Sequence, residues 1–297
     1  MATKSLRGTV VQGIGSFYTV RTAEGEEYIL RAQKKVRRTR LSPLPGDEVL
    51  FSPPVEGSEH GWLEEILPRK TLCLRPPVAN VETLIIVLAP EPEPDLMLAD
   101  RQIARAVAQG MRVLIAVNKS DLDDRLAAGL REEYAGAGIP VFPVCALTGA
   151  GLPALREAMG GSLCCFSGQS GAGKSTTINA LMHTDRETGD LSRKIARGKN
   201  TTRTAVLLEK EGLRVMDTAG FSLLEAERNL PPETLRERYT EFLPYEGKCR
   251  FNECLHDSEP GCAVAEAAKQ GEISPARWQR YRMLLAETRE NWKNRFG

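Results

Sequence analysis

The sequence predicts a multidomain protein, in which a small β-barrel precedes an α/β domain and a mainly α C-terminal domain. Three observations lead to this fold class. The first 72 residues contain short β-rich runs between turns; from about residue 75, continuous apolar runs alternate with helical segments; and after about residue 228 the strands stop. We therefore place domains at 1–72, 73–228 and 229–297.

Composition and charge exclude several classes of protein. Apolar residues form 41% and charged residues 27% of the 297 residues, which suits a packed core, and the net charge of +1 indicates no partner. No run approaches the roughly 18 apolar residues that cross a bilayer, and the first eight residues lack a secretion signal. We expect a cytoplasmic, monomeric protein with no membrane partner, whose seven cysteines are core residues, metal ligands or nucleophiles.

The N-terminal segment contains five closely spaced β-rich runs. They span 8–11, 17–20, 27–30, 48–51 and 62–66, and glycine-containing turns separate them. This spacing favours an OB-type barrel, with a different small sandwich as the alternative. Six basic residues lie between positions 31 and 40, namely Arg31, Lys34, Lys35, Arg37, Arg38 and Arg40. On a barrel loop this cluster favours contact with nucleic-acid phosphates, and an ordinary solvated loop is the alternative.

The central segment has the pattern of a doubly wound α/β domain. Runs 83–88 and 113–117 are continuously apolar, as in strands that are buried on both faces. Further strands are predicted at 141–144, 163–166, 205–208 and 213–216. Helices are predicted between several of them, for example at 98–109 and 175–182.

A phosphate-binding loop follows the predicted strand 163–166. Its pattern, G-x-x-x-x-G-K-S, occupies Gly168, Gln169, Ser170, Gly171, Ala172, Gly173, Lys174 and Ser175, and Thr176 continues into a helix. The glycines let successive N–H groups and the helix N-terminus face an anion. We expect Lys174 to reach the β and γ phosphates and the Ser175 hydroxyl to bind Mg²⁺.

A second motif selects the base. Asn118, Lys119, Ser120 and Asp121 follow a buried strand. The Asp121 carboxylate can accept hydrogen bonds from N1–H and the N2 amine of guanine, which adenine lacks, and such sites reject the wrong ligand by about 10⁴-fold. Asn118 would brace the loop and the base edge, and the Lys119 stem would cover the purine face. Cys145 and Ala146, after another strand, would supply a backbone N–H to O6.

The remaining nucleotide motifs lie downstream of the phosphate loop. Asp217 follows the strand 213–216 and belongs near Mg²⁺, while the Gly220 N–H belongs near the γ-phosphate. Thr202, with Thr201 as the alternative, would complete the Mg²⁺ shell. Because Asn118 precedes Gly168, the order of an ordinary GTPase is circularly permuted. The sequence thus predicts a circularly permuted P-loop GTPase domain that binds GTP and GDP.

The C-terminal segment contains a compact set of metal-binding side chains. Cys249, Cys254, His256 and Cys262 supply three thiolates and one imidazole, which complete a closed, structural zinc shell. A chance grouping of buried cysteines is the alternative. Cys73, Cys145, Cys164 and Cys165 are expected to pack in the core. Helices are predicted at 231–242 and 274–296. The second is expected to bury its aromatic residues and to present its cations to a phosphate-rich partner.

Together these residues resemble the small ribosomal subunit biogenesis GTPase family, RsgA (YjeQ). The resemblance covers nearly the whole chain and rests on the permuted motif order and on the runs 75–80, 249–251 and 259–264. It implies that the barrel and the zinc domain bind rRNA of the small ribosomal subunit. It also implies late action in subunit maturation, with ribosome-stimulated hydrolysis of GTP to GDP and phosphate.

Two positions bear on catalysis. Phe221 follows Gly220 where many GTPases have a water-orienting Gln, so we expect slow intrinsic hydrolysis. The family usually has a proposed catalytic His where this chain has Asn200, which can orient water but cannot act as a base. A nucleotide-gated rRNA-binding checkpoint with little turnover is therefore the alternative function. A third alternative is an ATP-dependent nucleic-acid remodeller. It leaves Asp121 without a role in base recognition, because adenine lacks the two donors that the carboxylate would accept.

Overall fold

The computed structural model describes residues 5–34, 36, 41–55, 57–74, 77–183, 205–217 and 230–295. Residue contacts group the chain into two compact units. The first comprises Met1–Leu84, Arg156–Phe166 and Ile178–Ser222, and the second comprises Ile85–Leu155, Ser167–Thr177 and Leu223–Gly297. Within the described part of the chain, none of the helices has the length and hydrophobicity that crossing a bilayer requires.

The N-terminal strands close into a barrel. They are β1 (Leu6–Ile14), β2 (Phe17–Arg21), β3 (Glu27–Ala32), β4 (Glu48–Ser52) and β5 (Gly61–Ile66). The barrel order is β1-β2-β3-β5-β4, with β3 and β5 parallel and β1 closing on β4. Alternate side chains fill the interior, among them Val20, Leu30 and Phe51. This topology confirms the OB-type prediction over the small sandwich. Arg31 lies on β3 and Lys34 is exposed just after it, whereas Lys35, Arg37, Arg38 and Arg40 lie outside the described residues.

A small hairpin that the sequence analysis missed follows the barrel. It pairs β6 (Leu72–Leu74) with β7 (Pro77–Ala79). Asn80, with a φ of 58°, donates from its side-chain amide to the Gly46 carbonyl at 2.9 Å. Each strand is only three residues long, which is too short for the alternation of polar and apolar residues to show.

The central strands form one six-stranded sheet, as predicted. Its strands are β8 (Thr83–Leu88), β9 (Arg112–Val117), β10 (Val141–Pro143), β11 (Leu163–Ser167), β12 (Val206–Lys210) and β13 (Leu213–Asp217), in the order β10-β9-β8-β11-β13-β12. The helices are α1 (Leu96–Ala108), α2 (Arg125–Ala135), α3 (Leu152–Met159) and α4 (Lys174–Met182). Every residue of β8 is buried, which explains its unbroken apolar run.

The C-terminal segment is helical, but not throughout in the predicted form. Three short 3₁₀ turns, Pro232–Thr234, Arg236–Arg238 and Thr240–Tyr245, stand where one helix was expected across 231–242. Tyr239 breaks the run because its backbone is extended, and its ring stacks on Phe242 at 5.2 Å. Two α-helices follow, α5 (Ala263–Gln270) and α6 (Pro275–Lys293), and the Ser274 side chain caps α6.

Candidate nucleotide site and metal cluster

The phosphate loop runs between β11 and α4, and its glycines are needed for their backbone shape. Gly168, Gly171 and Gly173 have φ values of 128°, 82° and 90°, which side chains disfavour. A Cβ at Gly168 would overlap the Val87 carbonyl oxygen, and one at Gly173 would overlap the Asn118 amide nitrogen. The loop therefore lies in close contact with the ends of β8 and β9.

Lys174 lies inside this loop. Its ammonium donates to the carbonyl oxygens of Gly168 at 2.8 Å and Gln169 at 2.7 Å, and burial lowers the pKa of Lys174 from its ordinary value. The buried Thr177 hydroxyl donates to the Gly173 carbonyl at 2.9 Å and fixes the start of the helix. Ser170 and Ser175 are exposed on the loop. The loop thus encloses one cation and presents a hydroxyl group beside it.

Asn118 connects three parts of the site. It is 3% exposed, and its backbone N–H donates to the Leu88 carbonyl at 2.7 Å. Its side-chain amide donates to the Ala172 carbonyl in the phosphate loop at 3.0 Å. Its carbonyl oxygen accepts the Ala146 N–H, also at 3.0 Å. One side chain therefore joins the predicted base motif, the phosphate loop and the turn after β10.

A backbone N–H of the turn at Cys145 and Ala146 was expected to face guanine O6, and here the Ala146 N–H donates to Asn118. The preceding N–H, of Cys145, donates to the Ala150 carbonyl at 2.9 Å. Contact between O6 and Ala146 requires a shared or shifted hydrogen bond. The turn is nonetheless at the expected place, directly after β10 and against Asn118.

Asp121 lies at the exposed rim of the same site, with no hydrogen-bond partner for its carboxylate among the described residues. Lys119 adopts a positive φ of 58° and donates from its ammonium to the Glu91 carbonyl at 2.6 Å. The Ser120 N–H donates to the Val144 carbonyl at 3.1 Å. The base motif is thus held by its neighbours while the carboxylate of Asp121 is available to a ligand.

A proline-rich segment beside the phosphate loop was missed by the sequence analysis. It spans 89–95, between β8 and α1, and contains three prolines. The Gln169 amide donates to the carbonyls of Pro92 at 3.2 Å and Glu93 at 2.7 Å, and its oxygen accepts the Asp95 N–H at 2.6 Å. No signal in the sequence marks this contact, because the Gln169 side chain binds backbone groups, which any residue supplies.

Several predicted site residues lie outside the described residues. They are Asn200, Thr201, Thr202, Gly220 and Phe221. Asp217 is described as the last residue of β13, where it pairs in register with Val206. Its predicted position at a strand end is therefore observed, and its place near Mg²⁺ stays a prediction.

The predicted metal ligands come together. The ligand atoms of Cys249, Cys254, His256 and Cys262 all lie within 4.8 Å of one another. The His256 Nδ1 is 3.6 Å from the Cys249 sulfur and 3.5 Å from the Cys262 sulfur. Tetrahedral zinc with ordinary Zn–S and Zn–N bonds requires an edge of about 3.6 Å between such atoms. The donor set and its spacing therefore fit Zn²⁺.

The surroundings of the cluster suit metal ligation. The backbone N–H groups of Ala263 and Ala265 donate to the sulfurs of Cys249 and Cys262, each at 3.3 Å. Desolvation, aided by the nearby Arg236 charge, lowers the pKa of His256 and favours the neutral imidazole that binds metals. The Trp278 indole donates to the His256 carbonyl at 2.8 Å, so α6 supports the ligand loop. The other four cysteines are buried, which confirms their predicted packing role.

The predicted basic face of α6 is wrong at Arg277 and Arg280. Arg277 is 2% exposed, and it donates to Asp100 at 2.6 Å and to Glu241 at 2.5 Å. Arg280 donates to the same Asp100 and to Glu133. Farther along α6, Arg282 and Arg289 both bind the Asp257 carboxylate. Arg277 and Arg280 are thus enclosed by acids that lie far away in sequence and are not available to a partner, whereas Arg282 and Arg289 keep about 40% of their side chains exposed.

The aromatic residues of α6 behave as predicted at two positions. Tyr281 is fully buried and contacts Tyr239 and Phe242 edge-to-face, both at 4.9 Å. Trp278 packs against the same cluster. The final helix is thus a structural support for the metal cluster and for α1, which carries Asp100.

Comparison with known protein families agrees with this architecture. The model of the RsgA N-terminal domain matches residues 7–63, and that of the RsgA GTPase matches residues 66–227. A protein of Ruminiclostridium cellulolyticum called small ribosomal subunit biogenesis GTPase RsgA is 44% identical, over 93% of this chain and 92% of its own length. A protein of the same name from Caldanaerobacter subterraneus is 38% identical, over 98% of both chains.

Solved structures share the fold. The crystal structure of YjeQ from Thermotoga maritima is 32% identical and superposes with a TM-score of 0.81, over 96% of this chain and 99% of that one. YloQ, described as a circularly permuted GTPase, is 24% identical with a TM-score of 0.79, over 97% of this chain and 96% of that one. By sequence and by structure, this chain belongs to the RsgA GTPase family.

Proposed function

We propose that this chain binds the small ribosomal subunit through its rRNA and hydrolyses GTP to GDP and phosphate late in subunit maturation, with hydrolysis stimulated by the subunit. Family membership makes it a GTP hydrolase of ribosome biogenesis. The relatives' names supply the small subunit as partner. Such a partner implies action in the cytoplasm, and we propose that the protein acts as a monomer.

The observation that carries the nucleotide part of the proposal is the position of Asn118. Its side chain holds the phosphate loop at Ala172 and the turn at Ala146, each at 3.0 Å. The two ends of one bound GTP would then be recognised by Asp121 at the base and by the loop around Lys174 at the phosphates. The Asp121 carboxylate, which has no partner among the residues that the structure describes, and the enclosed ammonium of Lys174 have the charges that these two ends require.

Phosphate binding would change the partners of Lys174. Its two present acceptors, the carbonyls of Gly168 and Gln169, belong to the loop itself. We propose that phosphate oxygens become its acceptors, while backbone N–H groups of Gly168–Thr176 face the same anion. Mg²⁺ bound with GTP would neutralise phosphate charge, held by Ser175, Thr202 and Asp217.

The zinc cluster has a structural part in this proposal. Four protein ligands leave no open position, so the ion would cross-link the loop that joins the 3₁₀ turns to α5. The proposed boundaries 1–72, 73–228 and 229–297 would assign the barrel to RNA binding, the sheet to GTP and the cluster to the last domain. Among the described residues, no side chain for activating water is identified.

Multiple-turnover GTP hydrolysis, titrated with purified small subunits, tests the function. We expect slow hydrolysis by the protein alone and a large increase with subunits, since catalytic groups supplied by a partner contribute about 10³–10⁵ in other GTPases. The checkpoint alternative predicts nucleotide-dependent binding to the subunit without an increase in turnover. An Asn200→His variant separates the two further, because a gain in stimulated turnover places position 200 in catalysis.

A further inference from the structure

Residues of the nucleotide site hold the start of α1. Asp95 caps this helix with its side chain, and its N–H donates to the Gln169 side chain of the phosphate loop at 2.6 Å. Gln169 also donates to two carbonyls of the segment 89–95, which leads into α1. From the base motif, the Lys119 ammonium donates to the Glu91 carbonyl in the same segment. The phosphate loop and the base motif therefore both hold the chain that enters α1.

The second turn of α1 carries a buried carboxylate. Asp100 lies five residues after Asp95, about 7.5 Å along the helix axis, and is 1% exposed. It accepts hydrogen bonds from the guanidinium groups of Arg277 and Arg280, both on α6. The Tyr134 hydroxyl of α2 donates to it at 2.8 Å. Because a buried carboxylate that loses a charged partner is strongly destabilising, these contacts fix the position of α1 against α6.

Phosphate binding acts on the same residue that holds α1. The Gln169 carbonyl accepts from the Lys174 ammonium at 2.7 Å, while the Gln169 side chain binds the Asp95 N–H. Under the proposed function, phosphate oxygens replace this carbonyl as acceptors of the ammonium. The backbone of Gln169 then changes its partner, and its side chain carries that change to the start of α1. One residue thus connects phosphate binding with the position of the helix.

We propose that Arg277 and Arg280 are positioning residues for nucleotide binding, because they hold α1 where Gln169 contacts its first turn. This role rests on the proposed function and extends it to the C-terminal helix α6. Since coupling between two sites is reciprocal, bound nucleotide should in turn stabilise α6. An ion network that serves only the stability of the fold would show no such selective effect.

Titration calorimetry with GDP on the full-length protein tests the first direction of the coupling. We expect Arg280→Ala to weaken GDP binding by about 10-fold, with Arg277 still paired with Asp100. Arg280→Lys, which keeps a cation beside Asp100, should recover most of this loss. Arg289→Ala is the matched control, because it removes an arginine of the same helix that pairs with Asp257 and not with α1. Its GDP affinity should stay within about twofold of the unaltered protein.

Hydrogen exchange of the same proteins tests the reverse direction. At saturating GDP, the amides of α6 in the unaltered protein should exchange about 10-fold more slowly than without GDP. Arg280→Ala and Gln169→Ala should each lose this slowing in α6, because each removes one end of the connection through α1. The buried amides of β8 are the internal reference, since ligand binding also stabilises the whole fold. Their slowing should persist in both variants.

Three outcomes would overturn the inference. The first is unchanged GDP affinity in Arg280→Ala, and the second is an equal loss in Arg289→Ala. The third is slowing of α6 by GDP in Gln169→Ala as large as in the unaltered protein, a result that also decides the matter if Arg280→Ala does not fold. If the unaltered protein binds GDP and any of the three occurs, only the positioning role fails. If it binds no GDP, the proposed function fails and the positioning role fails with it.

Discussion

Replacing Asn118 with alanine should weaken nucleotide binding, because this side chain connects the phosphate loop to the turn after β10. The change removes the donor to Ala172 and the acceptor for Ala146, and both hydrogen bonds are buried. Each polar group left unpaired costs about 1–3 kcal/mol, so about 2–6 kcal/mol of support for the assembled site is lost. Even the lower figure corresponds to an affinity loss of about 30-fold if it falls entirely on the bound state.

Titration calorimetry with GDP measures the loss of affinity. Thermal unfolding of the free protein measures how much of the free-energy cost destabilises the protein without nucleotide. Asn118→Asp is the informative companion, since it keeps an acceptor for Ala146 and places a carboxylate oxygen against the Ala172 carbonyl. Asn291→Ala, on α6, serves as the matched control. GDP affinity within about threefold of the unaltered protein, in an Asn118→Ala variant, would refute the role of this side chain as the connection between the two motifs.

Three further predictions concern the surroundings of the site. Gln169→Ala should lower GDP affinity by about 10-fold, because it removes the side-chain hydrogen bonds to the backbone of Pro92, Glu93 and Asp95. An unchanged GDP affinity in calorimetry would contradict this. Arg277→Ala should lower the free energy of unfolding by about 3–5 kcal/mol in denaturant titrations, because the buried charges of Asp100 and Glu241 lose this partner. Arg125→Ala, at an exposed ion pair, is the control and should change it by about 0–1 kcal/mol. Elemental analysis should find one zinc ion per chain and none in Cys254→Ser; an unaltered protein without metal would overturn the assignment.

The elements that could be predicted from the sequence are those whose signal is local. The run 84–88 is apolar throughout because β8 is buried on both faces, and the short barrel strands alternate because only one face is buried. The motif residues could also be predicted from the sequence. Phosphate binding requires glycines with positive φ, and metal binding requires ligands at a fixed spacing. Asn118 was expected to brace the loop and the base edge. Its hydrogen bonds to Leu88, Ala172 and Ala146 show the contact with the loop, and contact with the base stays a prediction.

The features that escaped prediction depend on residues distant in sequence. In the sequence, Arg277 and Arg280 look like ordinary surface cations of a helix, because Asp100 on α1 is far away along the chain. A partner surface was therefore predicted where the structure has an internal ion network. The break at Tyr239 accompanies the stacking of its ring on Phe242 and its edge-to-face contact with Tyr281, which no periodicity in 231–242 reveals. The hydrogen bonds of the Gln169 side chain to the segment 89–95 likewise involve backbone groups, which carry no residue-specific signal.

The Asp121→Asn variant offers the most direct test of how the base is chosen. A carboxylate accepts from both N1–H and the N2 amine of guanine, while an asparagine amide can donate to the C2 carbonyl of xanthine. Calorimetry with GDP and xanthosine diphosphate on both proteins should therefore show GDP preferred by about 10³-fold or more in the unaltered chain, and the preference reversed in Asp121→Asn. If Asp121→Asn binds GDP as tightly as before, the base lies elsewhere and the proposed nucleotide site is wrong.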